Sequence, residues 1–123
     1  VRGQSDIGAL ATKNERSAFI MIWNYHDEDI REGNEEVSIS LSGLPIGNAR
    51  LTEYRIDQTH SNSYERWKEM GSPANPTAAQ VKQLQNAGQL FRSKKSKKME
   101  MNETATVKIM LPRQAVVLLE LTW

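Results

Sequence analysis

Two nearly continuous apolar runs limit the folds open to this chain more than any other feature. Residues 18–23 read Ala-Phe-Ile-Met-Ile-Trp, and residues 115–121 read Ala-Val-Val-Leu-Leu-Glu-Leu. Both runs have the length of a strand and are too short for a buried helix. Strands without apolar/polar alternation are usually buried on both faces. The first run therefore predicts a strand covered on both faces, and the second predicts a strand in the centre of its sheet.

Four further segments predict strands around these two. Residues 7–12 form a hairpin with the first run through a turn at 13–16, and residues 37–41 alternate as a half-exposed strand does. Residues 49–56 and 106–111 are also extended in pattern, and Pro112-Arg113-Gln114 predicts a turn before the last strand. Gly43, Pro45 and Gly47 predict a break in the chain between residues 41 and 49.

The middle of the chain predicts a helical excursion. Tyr64, Trp67 and Met70 share one side of a short helix that Gly71-Ser72-Pro73 ends. Thr77 is the predicted N-cap of a second helix, with Gln80 in the capping-box position, an apolar stripe that starts at Val81 and Leu84, and Gly88 at its end. The predicted fold is mainly β, an antiparallel β-sandwich with a short helical excursion in the middle of the chain.

The size and the ends of the chain predict one domain of a longer protein. A chain of 123 residues is one domain's worth and can bury roughly two-thirds of its unfolded surface. Strand patterns begin close to Val1 and run to Trp123, so we expect residues 1–123 to be a single sandwich domain of a longer polypeptide. No apolar run has the length of a membrane span and no signal-peptide pattern opens the chain, so no membrane partner is expected and the compartment stays open.

The charge pattern argues against a nucleic-acid partner. The net charge is +1, and residues 92–98 hold five basic groups, so the rest of the chain carries +1 − 5 = −4. A basic run this short, with no aromatic residue inside it, is typical of a solvated mobile loop.

Metal and cofactor sites find little support in the sequence. The acidic stretch after His26 fails the calcium-loop pattern, because Arg31 and Glu32 occupy its fifth and sixth positions. His60 has no second histidine at helical spacing, so we expect it to make structural hydrogen bonds. Since the chain also contains no cysteine, we predict no metal and no cofactor.

Catalytic motifs are equally absent from the sequence. No serine lies in a Gly-x-Ser-x-Gly elbow, and no glycine-rich phosphate loop is present. Four carboxylates, Glu53, Asp57, Glu65 and Glu69, are close in sequence to basic residues, namely Arg55, Arg66 and Lys68. Solvated ion pairs explain these carboxylates more simply than glycosidic catalysis does.

The segment from Tyr54 to Pro76 is dense in polar and aromatic residues and has little hydrophobic periodicity. Its polar groups need partners, and its aromatic rings need a surface to lie against. An active site, a ligand platform and a surface that docks another domain are the three alternatives. The candidate docking residues are Tyr54, Arg55, Asp57, His60, Asn62, Tyr64 and Trp67.

The same segment carries a resemblance to a known family. Tyr54-Arg55-Ile56-Asp57, the stretch from His60 to Tyr64, the stretch from Trp67 to Pro73 and Asn75-Pro76-Thr77 resemble the C-terminal accessory β-sandwich domain of glycoside hydrolase family 39. This family contains β-xylosidases and, more distantly, α-L-iduronidase. Flanking stretches at 22–27, 41–45 and 111–121 are similar too, whereas the basic run departs from the family pattern.

The resemblance implies that this chain is the non-catalytic part of an enzyme. In the family, the two catalytic glutamates belong to a (β/α)₈ barrel that precedes the sandwich, and such a barrel needs roughly 250 residues. No catalytic residue is therefore carried over to this chain. The resemblance implies a parent that hydrolyses terminal β-xylosyl bonds with retention, using two carboxylates about 5 Å apart.

Three functions follow as alternatives. An architectural domain would pack on the barrel of the same polypeptide through the 54–76 segment, with Tyr64 and Trp67 as apolar anchors. A carbohydrate-binding module would stack xylo-oligosaccharides on aromatic rings; the candidates are Trp23, Tyr25, Tyr54, Tyr64 and Trp67, although the apolar run before Trp23 places that residue in the core. An enzyme within the chain itself is the third alternative, and the motif search speaks against it.

Overall fold

The structure is a computed structural model that describes residues 7–25, 34–94 and 96–123. The acidic stretch at residues 26–33, for which the sequence predicts no calcium loop, lies outside the described residues. Six strands and two helices occur in the described part, in the order β1 (Ile7–Lys13), β2 (Ser17–Asn24), β3 (Asn34–Ile56), α1 (Ser63–Glu69), α2 (Ala78–Ala87), β4 (Phe91–Arg92), β5 (Lys97–Pro112) and β6 (Val116–Thr122).

All strand pairs are antiparallel and belong to one curled sheet. The sheet order is β1-β2-β6-β3-β4, and β5 pairs with β3 off this path. The last strand, β6, lies between β2 and β3, which confirms the prediction that it is central. The predicted hairpin is also confirmed, since β1 and β2 pair along their length from Ile7↔Asn24 to Lys13↔Ala18.

The predicted break between residues 41 and 49 is wrong. Strand β3 runs continuously from Asn34 to Ile56 and pairs with β5, with a shift of register between Ser42 and Ile46. Gly43 and Gly47 have φ values of 76° and 148°, which suit glycine and let the strand bulge without ending. The chain bends here instead of stopping, and the sheet can fold over its own core.

The core is made by alternate residues of β2, β5 and β6. Their inward side chains join one buried cluster, which includes Ile20, Ile22, Val107, Ile109, Leu111, Val117, Leu119 and Leu121. The mainly β antiparallel sandwich is thus confirmed. The prediction that β2 is covered on both faces is wrong within the described residues, because Met21 on its outward face is 38% exposed.

The basic stretch is more ordered than a solvated loop. Arg92 belongs to β4 and pairs with Tyr54 of β3, while Lys97 and Lys98 begin β5. The backbone of these residues thus takes part in the sheet, although the side chains of Arg92, Lys97 and Lys98 are exposed.

Helix α2 is capped as the sequence predicts, and α1 ends just before the predicted Gly71-Ser72-Pro73 stop. Thr77 and Gln80 form a complete capping box at the start of α2, and Gly88 is its C-cap. Helix α1 ends at Glu69, followed by Gly71 with a φ of 89°. No helix in the described residues is long and apolar enough to cross a membrane.

Candidate functional site

The candidate docking residues lie where β3 leaves the sheet and the chain enters α1. The end of β3 carries Tyr54 and Arg55, and the connecting loop carries Asp57, His60 and Asn62. Helix α1 carries Tyr64 and Trp67. The structure therefore brings these residues into one region, which we call the β3–α1 segment (residues 54–73).

Asp57 is the hydrogen-bonding centre of the loop. Its carboxylate is only 7% exposed, and Oδ1 accepts hydrogen bonds from the backbone N–H of Thr59 (2.9 Å) and the hydroxyl of Thr59 (3.2 Å). Nδ1 of His60 lies 2.7 Å from the same oxygen. The backbone N–H of Asp57 donates to the carbonyl of His60 at 3.0 Å, so the turn is closed at both ends.

These partners set the charge state of Asp57. Burial alone would raise the pKa of its carboxyl, but the hydrogen bonds from His60 and Thr59 and the electrostatic attraction of His60 outweigh burial and hold the pKa below its ordinary value of 3.8. Asp57 is thus a buried, ionised group that the loop is built to satisfy.

Ser61 and Asn62 connect this turn to the sheet and to α1. Asn62 is the N-cap of α1, since its Oδ1 accepts from the N–H of Glu65 (3.0 Å), and its Nδ2 donates to the carbonyl of Asp57 (3.1 Å). Ser61 has a φ of 56°, and its hydroxyl donates to the carbonyl of Arg55 (2.7 Å) and accepts from the N–H of Phe91 (2.6 Å).

The two strand residues also find their partners inside the chain. The Arg55 guanidinium donates to Glu53 (3.0 Å), to Asp57 (3.4 Å) and to the carbonyl of Met110 on β5 (2.9 Å). The Tyr54 hydroxyl donates to Glu120 on β6 at 3.2 Å. Arg55 therefore links β3 to β5 through the carbonyl of Met110.

The four carboxylates of this region are paired, as the sequence predicts. Glu53 and Asp57 pair with Arg55, Glu65 with Lys68 at 2.9 Å, and Glu69 with Arg66 at 3.0 Å. Asp57 departs from the prediction of solvated pairs, because its side chain is buried.

Tyr64 and Trp67 differ from the other candidates because they lie on α1, where Tyr64 is exposed and Trp67 is half-buried. Their rings stack with centroids 5.9 Å apart, and Tyr64 remains 59% exposed. The indole N–H of Trp67 donates to the carbonyl of Pro73 at 2.9 Å, which folds the chain after α1 back along the helix. Neither α1 nor α2 contains a buried residue, so this helical pair contributes nothing to the core.

The trio of Thr59, His60 and Asp57 has the residue types of a hydrolase triad but not its geometry. A catalytic histidine holds the nucleophile on one ring nitrogen and the carboxylate on the other. Here the Thr59 hydroxyl (3.0 Å) and the Asp57 carboxylate (2.7 Å) both contact Nδ1. The arrangement fixes a turn and cannot relay a proton to the threonine. In the described residues, no group of three His, Asp or Glu side chains is placed to hold a metal ion.

Some partners in this region carry no signal in the sequence. The ring of Phe91 lies 4.4 Å from that of His60, centroid to centroid, and its N–H bonds to Ser61, although Phe91 is far away in the chain. Only the pairing of β4 with β3 brings it there.

The fold and this segment are those of a glycosidase-associated β-sandwich. The family model for glycosyl hydrolases family 39 matches residues 3–102, and the chain belongs to that family. A β-xylosidase from Caldicellulosiruptor saccharolyticus is 31% identical over 90 residues, which cover 73% of this chain and 18% of the relative.

Solved structures have the same fold. A family 39 enzyme from Xanthomonas axonopodis pv. citri matches with a TM-score of 0.77 and 14% identity, over 93% of this chain and 25% of that one. A monomeric β-xylosidase from Caulobacter crescentus CB15 matches with a TM-score of 0.74 and 20% identity, over 93% and 26%. A bacterial orthologue of human α-L-iduronidase matches with a TM-score of 0.78 and 21% identity, over 96% and 22%. This chain thus spans about a quarter or less of each relative.

Proposed function

We propose that this chain is a non-catalytic accessory β-sandwich domain that packs on and stabilises the catalytic (β/α)₈ barrel of the same polypeptide. Its membership of family 39 supports this proposal, and so does the small share of each relative that it spans. The matched relatives are single chains several times longer, which leaves room for a catalytic domain beside the sandwich.

The observation that carries the proposal is the stacked Tyr64–Trp67 pair on α1, in which the Tyr64 ring is exposed and Trp67 is half-buried. A helical pair without a buried residue gains little stability from packing inside this chain. Stacked aromatic rings on such a pair are the kind of apolar anchor that a domain interface uses. Tyr64 and Trp67 would supply these contacts. They lie on α1, which follows the end of β3 where Tyr54 lies.

The polar candidates would act by shaping this surface. Asp57, His60 and Asn62 hydrogen-bond to one another within the β3–α1 segment. Arg55 bonds to Asp57 and to the carbonyl of Met110 on β5, so these residues together hold α1 at a fixed position on the sheet. They would present Tyr64 and Trp67 to the barrel in a preorganised arrangement, which lowers the entropy cost of docking.

The family and the β-xylosidase relative support a proposal for the activity of the whole protein. We propose a retaining glycosidase that acts on terminal β-xylosyl bonds, with xylo-oligosaccharides as substrates and both catalytic carboxylates in the barrel. No residue of this chain is assigned to the chemical step.

Tyr64→Ser tests the docking role, with Gln85→Ala on the exposed face of α2 as its matched control. In the full-length protein we expect Tyr64→Ser to lower the Tm by several degrees, because it removes an anchor of the interface. In this chain alone, where Tyr64 is already 59% exposed, we expect almost no change. Equal effects of Tyr64→Ser in both forms, or no effect in either, would contradict the proposal.

The alternative of a carbohydrate-binding module is favoured by the exposure of the Tyr64 ring. However, Nζ of Lys68 lies 4.7 Å from the centre of that ring, so one of its faces is occupied. A titration with xylo-oligosaccharides, followed by tryptophan fluorescence, distinguishes the two functions. The accessory role predicts no saturable change, and a saturable change that Tyr64→Ser abolishes would favour the binding module.

A further inference from the structure

The outward face of the central strands is apolar across the sheet. Registered rows run from β2 through β6 to β3, one formed by Met21, Leu118 and Tyr54 and the next by Trp23, Val116 and Ile56. We call these six residues the outer sheet face. Their neighbours Ile20, Ile22, Val117 and Leu119 point inward to the core, so the two apolar runs in the sequence supply two separate apolar surfaces.

The described residues cover this face only in part, and Trp23, Tyr54, Val116 and Leu118 are half-buried. Met21 is 38% exposed and Ile56 is 43% exposed, and Leu10, which pairs with Met21 on the edge strand β1, is 57% exposed. Antiparallel strands with a water-facing side normally alternate apolar and polar residues. The outer sheet face breaks that rule on three adjacent strands, which is the pattern of an interface.

The polar groups around the face are already satisfied or lie at its edge. The Glu120 carboxylate accepts the hydrogen bond of Tyr54, and the Arg92 guanidinium lies 6.0 Å from the centre of the Tyr54 ring. At one end the next row on this side of the sheet is Phe19, Glu120 and Thr52, where the Glu120 carboxylate closes the apolar area. At the other end, Trp23, Tyr25 and Val116 line a cavity of about 320 Å³ that can receive a protruding side chain.

We infer that the outer sheet face is a docking surface for the catalytic part of the same polypeptide. This inference rests on the proposed function. The apolar character of the face suits a protein surface and offers a glycan few hydrogen-bonding groups. The occupant follows from chain length, because this chain spans only 18% of its β-xylosidase relative and most of such a protein lies outside the structure.

Cysteine labelling tests the surface directly, since this chain contains no cysteine of its own. Met21→Cys places a thiol on the outer sheet face, Tyr64→Cys places one on α1, and Ser38→Cys places one at an exposed position of β3, opposite exposed Lys108. Each variant is labelled with a maleimide in the full-length protein and in this chain at low concentration, and modification is mapped by peptide mass.

We expect Met21→Cys to react at least about tenfold more slowly in the full-length protein than in this chain, and Ser38→Cys to react equally in both. Fast labelling of Met21→Cys with protection of Tyr64→Cys would overturn this inference and leave the accessory function standing. Fast labelling of all three in the full-length protein would overturn both. Protection of Met21→Cys that rises with the concentration of this chain would assign the face to a second copy and also overturn the inference.

Discussion

Nδ1 of His60 lies 2.7 Å from Oδ1 of the buried Asp57 carboxylate, and this contact fixes the turn that leads from β3 into α1. The turn determines where α1 stands on the sheet, because Asn62, the N-cap of α1, also donates to the carbonyl of Asp57. A buried carboxylate with several donors stabilises the fold only while it is ionised. The orientation of the proposed docking helix should therefore depend on the charge of one residue.

Asp57→Asn should lower the free energy of unfolding at neutral pH by roughly 2 kcal/mol, since hydrogen bonds to charged groups contribute about 1.5–3 kcal/mol each. The pKa of Asp57 is lowered in the folded state, so its contribution is complete above the ordinary value of 3.8 and disappears as the pH falls through the lowered pKa. Urea titrations at a series of pH values should show the wild type and Asp57→Asn converging in strong acid.

Glu69→Gln is the matched control for that experiment. Glu69 also pairs with a basic residue, Arg66, but its side chain is 66% exposed. Exposed pairs contribute at most about 1 kcal/mol and usually less. A pH dependence that is unchanged in Asp57→Asn would contradict the role assigned to Asp57.

Trp67→Phe should lower the free energy of unfolding of this chain by about 1 kcal/mol, because it removes the indole N–H that donates to Pro73 while keeping an aromatic ring on Tyr64. Trp67→Ala should cost more, and in the full-length protein it should also lower the Tm because an interface anchor is lost. Chemical denaturation of both forms measures these effects. An unchanged Tm of full-length Trp67→Ala would count against the docking role of α1.

Gly8→Ala should destabilise the edge strand β1. A Cβ atom on Gly8 would lie 2.5 Å from ring atoms of Trp23, which pairs with it across the hairpin, so the indole must move. Overpacking of this kind costs about 1–3 kcal/mol, more than the gain of about 0.5–1 kcal/mol that alanine brings to a strand interior. Thermal melting should show a lower Tm for Gly8→Ala and partial recovery when Trp23→Leu is added; a higher Tm for Gly8→Ala alone would refute the contact.

Thr77→Ala should loosen α2 without unfolding the sandwich. The substitution removes the hydroxyl that accepts from the N–H of Gln80 (3.2 Å), worth about 1 kcal/mol. Since α2 has no buried residue, we expect the amides of its first turn to exchange roughly fivefold faster while the global free energy of unfolding stays the same. Thr77→Ser keeps the hydroxyl acceptor and should behave as wild type. If Thr77→Ala lowered the free energy of unfolding of the whole chain as much as it lowers the opening free energy of the first turn of α2, a loosely attached helix would be contradicted.

The sequence predicted those features well whose interactions connect residues close together in the chain. The capping box at Thr77 and Gln80 satisfies N–H groups within one turn, so the sequence alone identifies it. Gly43 and Gly47 led to the wrong prediction of a chain break, because glycine suits a strand end and a β-bulge equally well. Only the long-range pairing of β3 with β5 decides between the two.

The sequence identified the residues of the candidate site but not the hydrogen bonds and ring contacts between them. The polar composition of 54–76 required partners, yet the sequence could not show that Asp57, His60 and Asn62 satisfy one another inside the loop. Phe91 joins them only through tertiary pairing. The first apolar run predicted cover on both faces of β2, and that prediction is wrong within the described residues because Met21 is exposed.

Calorimetry of the full-length protein, of its catalytic part and of this chain tests the central claim most directly. If the sandwich packs on and stabilises the barrel, the sandwich should unfold together with the barrel in the full-length protein, at a higher temperature than either part alone. Two independent transitions at the temperatures of the separate parts would contradict the account.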